Sequence, residues 1–76
     1  MRTRTVSWCE GKILNLLSKK QEITTYLALS ALTLDFEVRD LEEQHNLDIA
    51  ISNLIFRKII KRYKDDHNQT TYCMAA

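Results

Sequence analysis

The sequence predicts a mostly α-helical protein of three to four short helices in a helix-turn-helix arrangement, with Thr70 to Met74 as a candidate C-terminal β wing. Its 76 residues include no proline and one glycine, so few positions break a helix. Several segments also repeat apolar residues at the spacing of a helix that packs along one face. A chain of this length fits one small helical domain covering residues 1–76.

The first two predicted helices lie in the N-terminal half of the chain. Ser7 and Glu10 have the spacing of a capping box, which predicts a first helix from about Trp8 to Lys19. The apolar stripe of this helix consists of Cys9, Ile13, Leu16 and Leu17. A break near Gln21 leads into a second helix, Glu22 to Leu32, whose centre is apolar nearly all round, so we expect it to be the most buried element.

A third helix is predicted from Phe36 to about His45, with Asp35 as its N-terminal cap. Apolar and polar residues alternate at the start of this segment, so a strand remains an alternative for it. Asn46-Leu47-Asp48 combines a residue that suits a helix end with one that suits a helix start, which predicts a three-residue turn.

The fourth predicted helix, Ile49 to Lys64, is amphipathic. Apolar residues gather on one side of a helical wheel, and the opposite side carries Arg57, Lys58, Lys61, Arg62 and Lys64. After a polar turn, the β-branched and aromatic residues of Thr70 to Met74 predict a short strand.

Charge is segregated along the chain, although the formal net charge is only +1. Residues 35–48 carry six acidic side chains against Arg39, whereas residues 49–64 carry five basic side chains and no acidic one. A small net charge steers a protein only weakly toward nucleic acid, so any electrostatic function must be local.

The chain offers few residues for catalysis or metal binding. It has no Cys-x-x-Cys pair and no glycine-rich phosphate loop, and His45 and His67 lie in predicted turn regions. We therefore expect no enzyme activity, no cofactor, no metal and no small-molecule substrate. The longest uncharged stretch, residues 23–34, is too short to cross a bilayer, and no secretory leader precedes Cys9 and Cys73. These features predict a cytoplasmic protein with free thiols and no membrane partner.

Two registers of a helix-turn-helix fit the pattern, and they disagree. In the first, the turn is Asn46-Leu47-Asp48 and the basic helix is the reading helix. Ala50 and Asn53 would then reach base edges of double-stranded DNA, while the cations would meet phosphates: Arg57, Lys58, Lys61, Arg62 and Lys64. Charge favours this register.

In the second register the turn lies near Thr33, and the small and apolar residues Ala28, Val38 and Leu41 occupy the positions that the turn's packing requires. The reading helix is then the acidic one, and Arg39 is its main positive contact. Packing favours this register.

The residues from Lys12 through Arg39 resemble the small winged-helix regulators of fimbrial operons, of the Pap and Fae type. The matching segments are Ile13 to Leu17, the Leu27-Ala28 pair and Asp35 to Arg39, and Thr71-Tyr72 resembles the end of that family's wing. The resemblance implies a small winged helix that binds operator DNA, with Arg39 as the contact residue that carries over.

The interpretation favoured by these patterns is a DNA-binding transcriptional regulator of helix-turn-helix type. The alternative is a small helical protein-protein interaction module, such as an adaptor, chaperone or anti-regulator, without nucleic-acid contact. A basic and apolar helix often packs on its own domain, and the complementary acidic and basic segments also suit a homodimer or another protein partner.

Overall fold

The computed structural model describes residues 3–34 and 40–75, which form three helices and three strands. In chain order the elements are α1 (Val6–Lys20), β1 (Glu22–Thr24), α2 (Tyr26–Leu34), α3 (Leu41–Phe56), β2 (Ile60–Lys64) and β3 (Thr70–Met74). The number of helices matches the prediction. The three strands make this a small mixed α/β fold rather than a mostly α one.

The strands form one antiparallel sheet in the order β1-β3-β2. β3 is therefore central, and it pairs with β2 over its whole length and with the short strand β1 on its other side. The buried core joins this sheet to all three helices, and its members are Cys9, Ile13, Leu17, Ile23, Leu29, Leu34, Leu47, Ala50, Ile51, Leu54, Ile60 and Tyr72.

Helix α1 forms where the sequence predicts it, but it starts at a different cap. The hydroxyl of Thr5 accepts a hydrogen bond from the Trp8 amide at 3.1 Å, so the helix begins at Val6 and the predicted cap Ser7 lies inside its first turn. Cys9, Ile13 and Leu17 are buried, which confirms these three members of the predicted stripe. Leu16 is half-buried against the core.

The predicted second helix is wrong over its first residues, because residues 22–24 form strand β1. Ile23 pairs with Tyr72 of β3 and is buried, so sheet pairing outweighs the helical preference of this segment. Thr25 ends the strand with a positive φ of 74°, and its hydroxyl accepts from the Ala28 amide at the start of α2.

Helix α3 is continuous, and it removes the predicted turn at residues 46–48. Asp40 caps it by accepting from the Glu42 amide at 2.9 Å. Leu47 is fully buried in the core, and the side-chain amide of Asn46 donates to the Arg4 carbonyl at 2.9 Å. Both residues therefore make their contacts from within the helix and not from a turn. The first helix-turn-helix register is therefore wrong, because its two helices are one.

Residues 41–45 of the predicted third helix belong to α3, whereas the predicted cap Asp35 and residues 36–39 lie outside the described residues. Thr33 lies inside α2 and Leu41 is exposed, so the turn at Thr33 and the packing of Leu41 in the second register are wrong.

The predicted fourth helix is wrong beyond Phe56, where α3 ends in a Schellman arrangement. The amide of Lys58 donates to the Ile55 carbonyl at 2.9 Å, and that of Ile59 donates to the Leu54 carbonyl at 3.0 Å. Lys58 takes the left-handed position with a φ of 62°, which turns the chain out of the helix. Ile60–Lys64 then continues as strand β2.

Strand β3 has the predicted bounds Thr70–Met74, and it forms a hairpin with β2. Asp65 shapes the connection, because its Oδ1 accepts the backbone N–H groups of Gln69 and His67, each at 2.9 Å. These hydrogen bonds hold the pKa of Asp65 below its ordinary value, and the one from Gln69 has the largest effect. The hairpin therefore projects with a defined tip.

Candidate functional site

The outer face of α3 is a stripe of five exposed residues: Leu41, His45, Asp48, Ser52 and Phe56. Their spacing of three or four residues places them on one side of the helix, opposite the buried Leu47 and Leu54. Residues 41–56 include no lysine or arginine. Any cation beside this face must therefore come from another element.

The cations of the hairpin are divided between the two faces of the sheet. Arg62 pairs with Tyr72, and Lys64 pairs with Thr70. The two cations therefore lie on the same face of the sheet as Ile60 and Tyr72, whose side chains are buried in the core. Lys61 lies on the opposite face, beside Cys73. Strand alternation thus places two of the three β2 cations on the side of the sheet that packs against the helices.

The face opposite the helices is held by its own polar contacts. The Tyr63 hydroxyl donates to Oε2 of Glu22 at 2.8 Å, and this hydrogen bond raises the pKa of Tyr63 above its ordinary value. The ammonium of Lys61 lies 5.8 Å from the centroid of the Tyr63 ring. Lys61 and Glu22 therefore both contact Tyr63 on this face.

A cleft separates the outer face of α3 from the hairpin. Its walls are Asp48 and Ser52 on one side and Arg62 on the other, and Tyr26 and Tyr72 also line it. A second depression shares Arg62 and the two tyrosines and continues along the hairpin to Gln69 and Thr70. The cleft thus brings a cation, a carboxylate and a hydroxyl together.

Three side chains at the edge of this cleft form a hydrogen-bonded chain between α2 and α3. The Gln44 amide donates to the Tyr26 hydroxyl, which in turn donates to Oδ1 of Asp48. Desolvation by burial, and after it the hydrogen bond to Asp48, raise the pKa of Tyr26 to about 12. The hydroxyl therefore keeps its proton at neutral pH and holds one oxygen of Asp48.

The residues proposed for base contacts in the first register lie away from this face. Ala50 is fully buried, so the prediction that it reaches a base edge is wrong. The Asn53 amide donates to Oε2 of Glu10 on α1 at 3.3 Å. Arg39 lies outside the described residues.

The predicted phosphate-contacting cations are dispersed rather than gathered on one helical face. Nη1 of Arg57 lies 3.8 Å from Oε1 of Glu10, and Lys58 is exposed in the turn after α3. Lys64 donates to the Thr70 hydroxyl at 3.2 Å. Because β2 is a strand, Lys61 and Arg62 point to opposite faces.

Sequence reasoning missed Tyr26, Gln44, Asp48 and Ser52 as a group. The spacing of Asp48 and Ser52 was a readable signal, but it required a helix that continues through residue 48. Tyr26 lies 22 residues from Asp48 in the chain. Local periodicity alone could not bring these two residues together.

Both cysteines are free thiols. Cys9 is buried in the core, and burial raises the pKa of its thiol above the ordinary value, with the nearby carboxylate of Glu43 as the second cause. Within the part of the chain that the structure describes, no three His, Cys, Asp or Glu side chains are grouped so as to hold a metal ion.

No protein-family model, curated protein or solved structure matches this chain. In residues 3–34 and 40–75, no helix combines the length and apolar content needed to cross a membrane.

Proposed function

We propose that this protein is a cytoplasmic, DNA-binding transcriptional regulator of the winged helix-turn-helix type. The observation that carries the proposal is the order of its elements: α3 comes after α2 in the chain, and a basic antiparallel hairpin follows α3. In helix-turn-helix proteins the second helix of the pair lies in the major groove. The resemblance to small winged-helix regulators of fimbrial operons agrees with this order.

The hairpin is the element that supplies positive charge to the DNA contact. The outer face of α3 has no lysine or arginine, so we assign the phosphate attraction to Arg62, which lines the cleft beside α3, and to Lys64 on the same face of the sheet. A major groove admits a helix or a two-stranded ribbon, and the outer face of α3 lies beside the hairpin across the cleft. Arg62 lines that cleft, while Lys61 faces away from it.

The test is the salt dependence of binding to random duplex DNA, measured by fluorescence anisotropy. We expect the logarithm of the association constant of the wild-type protein to fall linearly with the logarithm of salt concentration. Arg62→Ala and Lys64→Ala should each weaken binding and lower that slope by about one, because each removes one phosphate contact.

Lys61→Ala is the matched control, since it removes a cation from the same strand on the opposite face of the sheet. It should leave the slope at the wild-type value, because it removes no phosphate contact and so changes no counterion release. An equal loss for Lys61→Ala would contradict the assigned binding face. No salt-dependent binding by the wild-type protein would overturn the proposal itself.

The second candidate is a helical protein-interaction module, and two exposed apolar side chains on α3 favour it. Leu41 is 84% exposed and Phe56 is 88% exposed, one at each end of the same outer stripe. In an antiparallel pair of α3 helices from two copies, the acidic start of one helix would lie beside Arg57 and Lys58 of the other. A homodimer is therefore the specific form of this candidate.

Sedimentation velocity over a range of protein concentrations tests this second candidate. The wild-type protein should dimerise as concentration rises, and replacing both Leu41 and Phe56 by serine should leave a monomer. Leu27→Ser is the control, because Leu27 is 79% exposed on α2, away from the stripe. A wild-type protein that stays monomeric throughout would exclude the homodimer.

A further inference from the structure

Asp48 is the one acidic member of the outer stripe of α3, and it is held in place. An exposed carboxylate ordinarily rotates freely, but the Tyr26 hydroxyl donates to its Oδ1, and Gln44 fixes that hydroxyl in turn. No described residue donates to Oδ2 of Asp48. The structure therefore presents one oriented acceptor at the mouth of the cleft.

A carboxylate on a DNA-facing surface lowers affinity, because phosphates repel it at every sequence. This repulsion is offset only where a base donates a hydrogen bond to the carboxylate. In the major groove, the N4 amine of cytosine is the donor that aspartate and glutamate accept from. An oriented carboxylate beside a phosphate-binding cation can therefore discriminate between bases without adding affinity for all DNA.

We propose that Asp48 is a specificity-determining residue that accepts a hydrogen bond from the N4 amine of cytosine, with Tyr26 and Gln44 as positioning residues. This inference rests on the proposed DNA-binding function and names what the outer face of α3 reads. Arg62, across the cleft from Asp48, anchors the neighbouring phosphate and offsets the repulsion of the carboxylate.

The experiment selects preferred duplexes from a random pool and then measures affinity for all four base pairs at each preferred position. The wild-type protein should favour a C·G pair at one position by about 5- to 150-fold. Asp48→Ala should remove this preference and leave the salt slope unchanged. Asp48→Asn should move the preference toward adenine, because an asparagine amide pairs with its N6 and N7.

Two further variants separate base reading from charge and from structure. Glu22→Gln removes one carboxylate on the opposite face of the sheet and should keep the wild-type base profile. Tyr26→Phe should reduce the preference for C·G at the same position, because it removes the hydrogen bond that orients the carboxylate of Asp48. If Tyr26 only clamps α2 to α3, its loss would lower the melting temperature and leave the base profile intact, which would contradict its positioning role.

The outcomes distinguish this inference from the proposed function. A wild-type protein that binds duplex DNA with salt dependence but keeps its base profile in Asp48→Ala would overturn the inference alone. Binding without any base preference would also overturn it alone. A wild-type protein without salt-dependent binding would overturn both.

Discussion

Replacing Leu54 with alanine is expected to lower the free energy of unfolding by about 2 to 5 kcal/mol. Leu54 is 1% exposed and lies on the inner side of α3, which packs against α1 and β2. Truncation would remove apolar contacts and leave a cavity among residues from several elements. A protein of 76 residues has only about 4 to 11 kcal/mol of stability, so this single change should remove a large share of it.

Urea denaturation followed by far-ultraviolet circular dichroism measures this loss, and Leu41→Ala is the matched control. The same truncation in the same helix removes a side chain that is 84% exposed, so the change should stay within about 0.5 kcal/mol. A comparable loss for both variants would mean that the two faces of α3 are wrongly assigned.

The second large effect is expected at Glu43, which is 6% exposed near the start of α3. Its Oε1 accepts the Arg4 amide at 2.9 Å, and its Oε2 lies 3.7 Å from the Arg4 guanidinium. Glu43→Ala should cost about 1 to 3 kcal/mol of unfolding free energy, because the Arg4 amide loses its acceptor. The Arg4 side chain keeps 27% exposure, which holds the loss below that of a fully buried pair.

Glu43→Gln is the informative comparison, measured by the same denaturation. Glutamine keeps a side-chain oxygen that can accept from the Arg4 amide, so it should recover part of the loss without restoring the ion pair. Equal destabilisation by alanine and glutamine would assign the whole effect to the charge interaction. No loss in either variant would contradict the contact between the N-terminal segment and α3.

Part of the fold could be predicted because local signals and tertiary packing agree there. The apolar spacing of Cys9, Ile13 and Leu17 specifies one helix face, and those residues are buried in the structure. The β-branched and aromatic residues of Thr70–Met74 predicted the strand with its observed bounds.

Other elements could not be predicted because the deciding interactions are distant in sequence. Glu22–Thr24 is a strand because it pairs with residues 71–73, and a helix-like local sequence contains no record of that partner. Ile60–Lys64 pairs with Thr70–Met74 in the same way, so a sequence that looks amphipathic as a helix becomes the edge of a sheet. Asn46 and Asp48 resemble caps, but inside α3 they bind Arg4 and Tyr26 instead.

The candidate site shows the same division. Sequence segregated the cations into residues 57–64, and that segregation carries the proposed phosphate contact. Side chains repeat every two residues in a strand and every 3.6 residues in a helix, so the secondary structure of residues 60–64 decides which cations share a face. The tertiary structure makes this segment a strand. As a result Arg62 joins α3 across the cleft and Lys61 does not.

By itself, the sequence determined the charge segregation, the apolar face of α1, the terminal strand and the scarcity of helix-breaking residues, because composition and short-range spacing contain these features. Only the tertiary structure decided where α3 ends, that residues 22–24 and 60–64 are strands, and that Tyr26, Asp48 and Arg62 meet at one cleft. The physical reason is that sheet pairing and the contacts between helices join residues far apart in the chain, and their free energy outweighs local helical preference.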